Sequence, residues 1–361
     1  MDKFPVVQNL ARQHCLFDLL CGVLKSRKVQ LPNIAEAIHI ASDKRKLSSI
    51  IHRFEDFFRE AVFDFDALAV LLFSCLPAKG KIRLCIDRTE WDFGRSQVNI
   101  LMLTASCGSV QVPLYWELLE NKSGNSNSTQ RIELFEKIVA LVGPERIGIL
   151  IADREFIGHK WLKYLKTNNI NFCIRVPKHH LIGTEAGEFL KAEGCLNSKK
   201  TCVFSEVLVD GVWLSAYLKS MPDGDPLFLV GTAKNPHCLP QFYKKRWQIE
   251  CFFQNIKGRG FELESTQMKC VKKLKKLVGI VALASAFCQS TGVYLDEKVQ
   301  NIPIKNHGYK RNSFARHGLN YLQWLLKQSA ATFDQTVEKF IRFLCFQKFK
   351  YNILNYWFSG S

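Results

Sequence analysis

The run from Ile147 to Ala152 constrains the fold most, because from Arg146 onward seven residues form an almost unbroken apolar stretch. A strand with no polar alternation is one buried on both faces, and such strands belong to sheets covered by helices on either side. Upstream, residues 82–86, 98–103 and 110–116 are rich in β-formers and separated by Gly-bearing turns, which predicts a three-strand meander. A helix is expected from Thr129, its candidate N-cap, to Leu141, then the apolar strand, a helix over 156–166 and a strand over 171–176. The order β-β-β-α-β-α-β defines an α/β fold.

Residues 1–76 read as helical: Leu16, Leu19, Leu20, Val23 and Leu24 repeat at helical spacing, and two short amphipathic helices, 34–40 and 47–58, flank Ser42-Asp43-Lys44-Arg45. Two readings fit this pair. One is a helix-turn-helix-like reader with Lys44, Arg45, Lys46, Ser48, Ser49 and Arg53 near a DNA backbone; the other is an ordinary helical bundle with charged ends. Residues 178–236 interrupt the α/β pattern. Strands 203–209 and 212–219 flank Asp210-Gly211, a strong hairpin signal, and 227–232 supplies a third strand. A long helix from Pro240 to Gly258 follows, and the remainder is helical with basic patches. The divisions are 1–76, 77–177, 178–236, 237–262 and 263–361, the fourth rejoining the second across the β-rich insertion.

Charge points to the partner. Lys plus Arg number 50 against 33 Asp plus Glu, a net charge of +17, which favours a polyanion and first of all nucleic acid. The excess is concentrated in residues 241–361, which hold 20 Lys or Arg against 7 Asp or Glu and include the cluster Lys272, Lys273, Lys275 and Lys276. A solvated surface chosen for solubility is the plainer alternative. The 13 cysteines are scattered singly with no zinc-type spacing, so they read as reduced thiols in a reducing compartment. The longest apolar stretches are about half the ~20 residues a spanning helix needs, and no basic-then-apolar leader opens the chain. The expectation is a soluble, cytoplasmic protein. His179, His180 and His237 have no ligand-like partners in sequence and read as surface or structural residues.

Asp87 and Asp153 each follow a predicted strand and are placed at its C-terminal end, where open α/β sheets build their sites. An Asp in such a place is also a common turn or cap residue. Tyr243, Arg246, Glu250 and Lys257 fall within about 60° of one another on a helix turning about 100° per residue. The stripe carries an acid flanked by a phenol and two cations. An ordinary amphipathic helix with an Arg246–Glu250 ion pair has the same pattern, so arrangement alone leaves both readings open.

The blocks Asp87-Arg88-Thr89-Glu90-Trp91, Ala152-Asp153-Arg154-Glu155-Phe156 and Tyr243-x2-Arg246-x3-Glu250-x6-Lys257 occur in that order. They resemble the three catalytic blocks of the insertion-sequence DDE transposases with the Tyr-Arg-Glu-Lys signature, hairpin-type cut-and-paste enzymes of bacterial insertion sequences. The likeness spans residues 81–260. It implies an RNase H-like core, a β-rich insertion before the helix of the Glu, and a helical N-terminal domain that recognises transposon ends. It further implies that Asp87, Asp153 and Glu250 are catalytic and hold two Mg²⁺ ions, with Mn²⁺ able to substitute, for cleavage and transfer of DNA strands. Tyr243, Arg246 and Lys257, with Lys244 beside them, are then the groups that grip the strand near the cut. Trp247 is a candidate for holding a flipped base, with a core position as the alternative; Trp213 in the inserted hairpin is a second candidate. The partner is double-stranded DNA, both transposon ends and target, and two ends imply a dimer assembled on DNA. A metal-dependent nuclease on the same core is one alternative. A domesticated, non-catalytic DNA-binding protein is another, though it usually lacks one of the acids, and here all three are present.

Overall fold

Four helices open the chain in the computed structural model, which describes residues 6–328 except 40–44, 78, 94–95, 120–126, 185, 197–199, 223 and 307. They are α1 (Leu10–Ser26), α2 (Leu31–Ile38), α3 (Leu47–Glu60) and α4 (Phe65–Ser74). Asn9 caps α1 by accepting the Arg12 N–H, and Asp64 caps α4 by accepting two N–H groups. The apolar spacing read in the sequence is the buried face of α1: Leu16, Leu19, Leu20, Val23 and Leu24 all lie inside. In α3 the buried stripe is Ile50, Phe54, Phe57 and Phe58, while Lys46, Ser48 and Ser49 face solvent. Residues 42–44 of the candidate reader, Lys44 among them, lie outside the described residues.

The sheet follows, with strands β1 (Ile82–Phe93), β2 (Ser96–Cys107) and β3 (Val110–Leu119), helix α5 (Ser128–Val142), strand β4 (Ile147–Ala152), helix α6 (His159–Thr167) and strand β5 (Phe172–Arg175). Then come β6 (Leu181–Gly183), β7 (Phe189–Lys191), β8 (Thr201–Val209), β9 (Val212–Lys219) and β10 (Leu227–Gly231). All ten strands form one sheet in the order β3-β2-β1-β4-β5-β10-β9-β8-β6-β7. At its centre β1, β4 and β5 run parallel, and β2 and β10 flank them antiparallel. β4 is buried nearly throughout, as its composition requires. The insertion therefore extends the core sheet beyond β5. Its Asp210-Gly211 turn has φ of 48° and 74°, the positive values that a two-residue hairpin of this hand uses.

Three expectations need correction. β1 does not stop at Ile86, so Asp87 is not at a strand end: β1 stays paired with β2 from Arg83↔Ser106 to Phe93↔Ser96 and runs on past the acid. The N-cap of α5 is Asn127, not Thr129, because Asn127 and Gln130 exchange side-chain-to-backbone hydrogen bonds in a capping box. The long helix over 240–258 is four pieces: α7 (Leu239–Tyr243), a 3-10 turn (Lys244–Arg246), α8 (Trp247–Gln254) and a π turn (Asn255–Arg259). The 3-10 turn eclipses residues three apart, which stacks the Arg246 guanidinium 5.6 Å above the Tyr243 ring.

The 28-residue α9 (Val271–Lys298) is the hub of the helical layer and packs on β3, α1, α4 and α10 (Phe314–Gln328). By length and composition it could cross a membrane, but 83% of its apolar window is buried inside the fold. It meets α10 where glycines face each other: a Cβ on Gly318 would collide with the Cys288 carbonyl, and one on Gly292 with the Phe314 carbonyl. The apolar core is continuous from Val6 to Leu326. Among the described residues every cysteine is free, six of them buried.

Candidate active site

Register brings the acids together. β1 and β4 pair in parallel up to Ile86↔Ala152, which makes Asp87 and Asp153 the next residues on adjacent strands. Each carboxylate accepts the N–H of the residue after it, Arg88 at 2.9 Å and Arg154 at 2.8 Å. β10 returns the chain to β5, and α7, the 3-10 turn and α8 then carry Tyr243, Arg246 and Glu250 back to the two acids.

The Arg246 guanidinium is the meeting point. Its Nη1 donates to Asp87 Oδ2 at 2.8 Å, its Nη2 lies 3.9 Å from Asp153 Oδ2, and Nη2 also donates to Glu250 Oε1. Tyr243 donates its hydroxyl to Asp153 Oδ1 at 3.0 Å. Burial pushes the Asp87 carboxyl up to about 7, against the pull of Arg246 and the Arg88 N–H. Burial likewise raises the Tyr243 phenol above its ordinary value, so it stays protonated and donates. Lys257 donates to the Glu90 carbonyl at 2.8 Å, three residues beyond Asp87 on β1, and stands 3.7 Å from Glu264.

Carboxylates are the hard oxygen donors that divalent cations such as Mg²⁺ select. Three of them face one cation, the Arg246 guanidinium. Their spacing is that of acids set around a guanidinium: among the described residues no three His, Cys, Asp or Glu side chains are close enough to share an ion. In donor chemistry the three carboxylates are of the type a divalent metal takes, and Asp87, Asp153 and Glu250 are the residues that would hold one.

Other expected residues have diverse surroundings. Trp247 is 59% exposed beside the acids, which removes the core alternative, and Trp213 is 39% exposed on β9. Lys244 faces solvent. Of the basic cluster on α9, Lys272 is exposed and Lys273 half-buried, whereas Lys275 binds Glu117 at 2.7 Å and Lys276 donates to the carbonyls of Phe58 and Ala61 at the end of α3. Arg53 pairs with Asp18 inside the helical layer. The histidines have structural partners: His179 meets Glu193, His180 meets Asp210, and His237 packs on Tyr217.

Sequence reasoning assigned no role to Arg88, Glu155, Arg131, Arg175 or Asp225. Arg88 pairs with Glu155 at 3.1 Å, and Arg175, one strand beyond Asp153, pairs with Asp225 at 2.8 Å. For Arg88 and Glu155 the available signal was opposite charge one and two residues after the two acids.

A sheet whose three central strands run parallel, with acids gathered where β1 and β4 part, has the architecture of the RNase H-like class. A family model described as the transposase DDE domain matches residues 79–287, more than half of the chain, and the chain belongs to the DDE transposase family. Enzymes of this family generally use divalent metal ions. Among solved structures, the chain is similar to a piggyBac transposase synaptic complex with hairpin DNA: TM-score 0.50, 12% identity, 93% of this chain and 76% of that one. It also matches an endonuclease V from Bacillus subtilis with a TM-score of 0.26, 10% identity, 60% of this chain and 97% of that one. No curated protein sequence matches the chain.

Proposed function

We propose that this protein is an insertion-sequence transposase that binds the terminal inverted repeats of its element, cuts DNA strands there and transfers them to a target, by a cut-and-paste route. The observation that carries this reading is the convergence of Asp87, Asp153 and Glu250, from three distant segments, on a single cationic position. The family match and the hairpin DNA held by the similar piggyBac structure support double-stranded DNA as the partner.

In this reading the three acids hold two Mg²⁺ ions, which when bound lower the pKa of the attacking hydroxyl and stabilise the leaving oxygen of an in-line displacement at phosphorus. Arg246, released from the acids, offers a planar two-point grip to a backbone phosphate. Lys257 adds a point charge, Tyr243 a neutral donor, and Trp247 an exposed ring on which an unstacked base can rest. Two protomers pair on two ends.

The test uses DNA carrying the inverted repeats that flank the gene. Asp87→Asn, Asp153→Asn and Glu250→Gln should each lower strand cleavage by roughly three orders of magnitude or more, since metal-borne stabilisation is worth several kcal/mol. End binding, which rests on phosphate contacts, should persist. Near-normal cleavage by any of the three removes that residue from the catalytic set. Nicking without strand transfer by the wild type replaces transposase with nuclease.

A further inference from the structure

The backbone ties between β1 and β4 end one residue before the acids. Their last paired residues are Ile86 and Ala152; β1 continues against β2 while the chain turns away after Ala152. Asp87 and Asp153 thus sit where the two strands part, and the separation of their carboxylates depends on what holds the 153–157 turn. The Phe156 N–H closes the turn on the Asp153 carbonyl at 3.0 Å, and side chains tie it to its neighbours. Arg88 Nε meets Glu155 Oε2 at 3.1 Å, both side chains being less than one-fifth exposed. From α5, Arg131 donates to the Glu155 carbonyl at 2.8 Å and the Ile157 carbonyl at 3.4 Å, with its guanidinium 4.9 Å from the Phe156 ring.

We propose that the Arg88–Glu155 pair, anchored by Arg131, is a positioning device that sets the Asp87-to-Asp153 gap and so makes the site selective for Mg²⁺ over Ca²⁺. It rests on the reading that these two acids share a metal. Mg²⁺ demands near-ideal octahedral geometry at about 2.0–2.1 Å, whereas Ca²⁺ accepts six to eight oxygens at about 2.3–2.6 Å in flexible arrangements. A slack gap therefore penalises Mg²⁺ more. Neither Arg88 nor Glu155 acts on substrate; each acts through the neighbouring acid.

The full chain is titrated calorimetrically with Mg²⁺ and separately with Ca²⁺. The main variant is Arg88→Met with Glu155→Leu, because replacing both members of a covered pair by apolar groups leaves folding near neutral. Expected is a loss of Mg²⁺ affinity of about tenfold or more, as for other partners of metal ligands, with a smaller loss for Ca²⁺ and a thermal midpoint close to wild type. Unchanged Mg²⁺ affinity, or equal losses for the two ions, overturns the proposal. If that variant does not fold, Arg88→Lys takes its place, since it keeps the charge and loses the guanidinium reach; wild-type Mg²⁺ affinity there also overturns it. Loss of metal in Glu155→Gln but not in Arg88→Met makes Glu155 a ligand and overturns the positioning role. Asp153→Asn separates the two layers: if it binds Mg²⁺ like wild type, the shared-metal reading itself has failed.

Discussion

Arg246 neutralises a partly buried cluster of acids that would otherwise repel one another. Removing it leaves the acids free for another cation and, on the proposed function, takes away a phosphate contact. Hydrogen bonds to charged groups contribute about 1.5–3 kcal/mol each, so Arg246→Gln should bind Mn²⁺ about tenfold more tightly in the absence of DNA and bind end DNA more weakly, both read by calorimetry. Unchanged metal affinity means that guanidinium and metal do not compete. Local spacing was enough to set Tyr243, Arg246 and Glu250 on one side of a helix. The partners of that side were not legible from spacing, because Asp87 lies 159 residues from Arg246 and only the sheet register brings it there. Family resemblance supplied the acids as a set, and the fold supplied their geometry.

At the scale of elements, long periodic segments were legible and short or irregular ones were not. β4, α1 and the hairpin of β8 and β9 carry their signals in several consecutive residues. β6 and β7 are three residues each, with Leu181 and Phe189 59% and 66% exposed, too short and too open for any pattern to mark them. The α9–α10 crossing is a further feature that periodicity does not reveal. Gly318→Ala should lower stability by about 1–3 kcal/mol in urea unfolding, the usual penalty of overpacking; no change would mean the helices part freely at that point. α9 also divides its lysines. Lys272→Gln with Lys273→Gln should flatten the salt dependence of DNA binding, the logarithmic slope falling by about one for each phosphate no longer neutralised. Lys275→Gln with Lys276→Gln should instead lower the thermal midpoint and leave the slope alone, since those ammonium groups hold β3 and α3. The reverse outcome would place DNA on the inner pair.

For the whole molecule, the proposed function sets two element ends against the one acid cluster described in each chain, and so calls for two protomers in one event. Light scattering should find two proteins with two end fragments, whereas one protein per fragment would rule the pairing out. The continuity of the sheet has another outcome, for how such chains diversify. The strand after the insertion, β10, docks directly on β5, so the chain re-enters the core beside the point where it left. Strands β6 to β9 lie wholly beyond that seam, on the far side from β1 and β4. Changes of length within this wing can therefore leave the register that sets Asp87 beside Asp153, and the docking of β10 on β5, as they are.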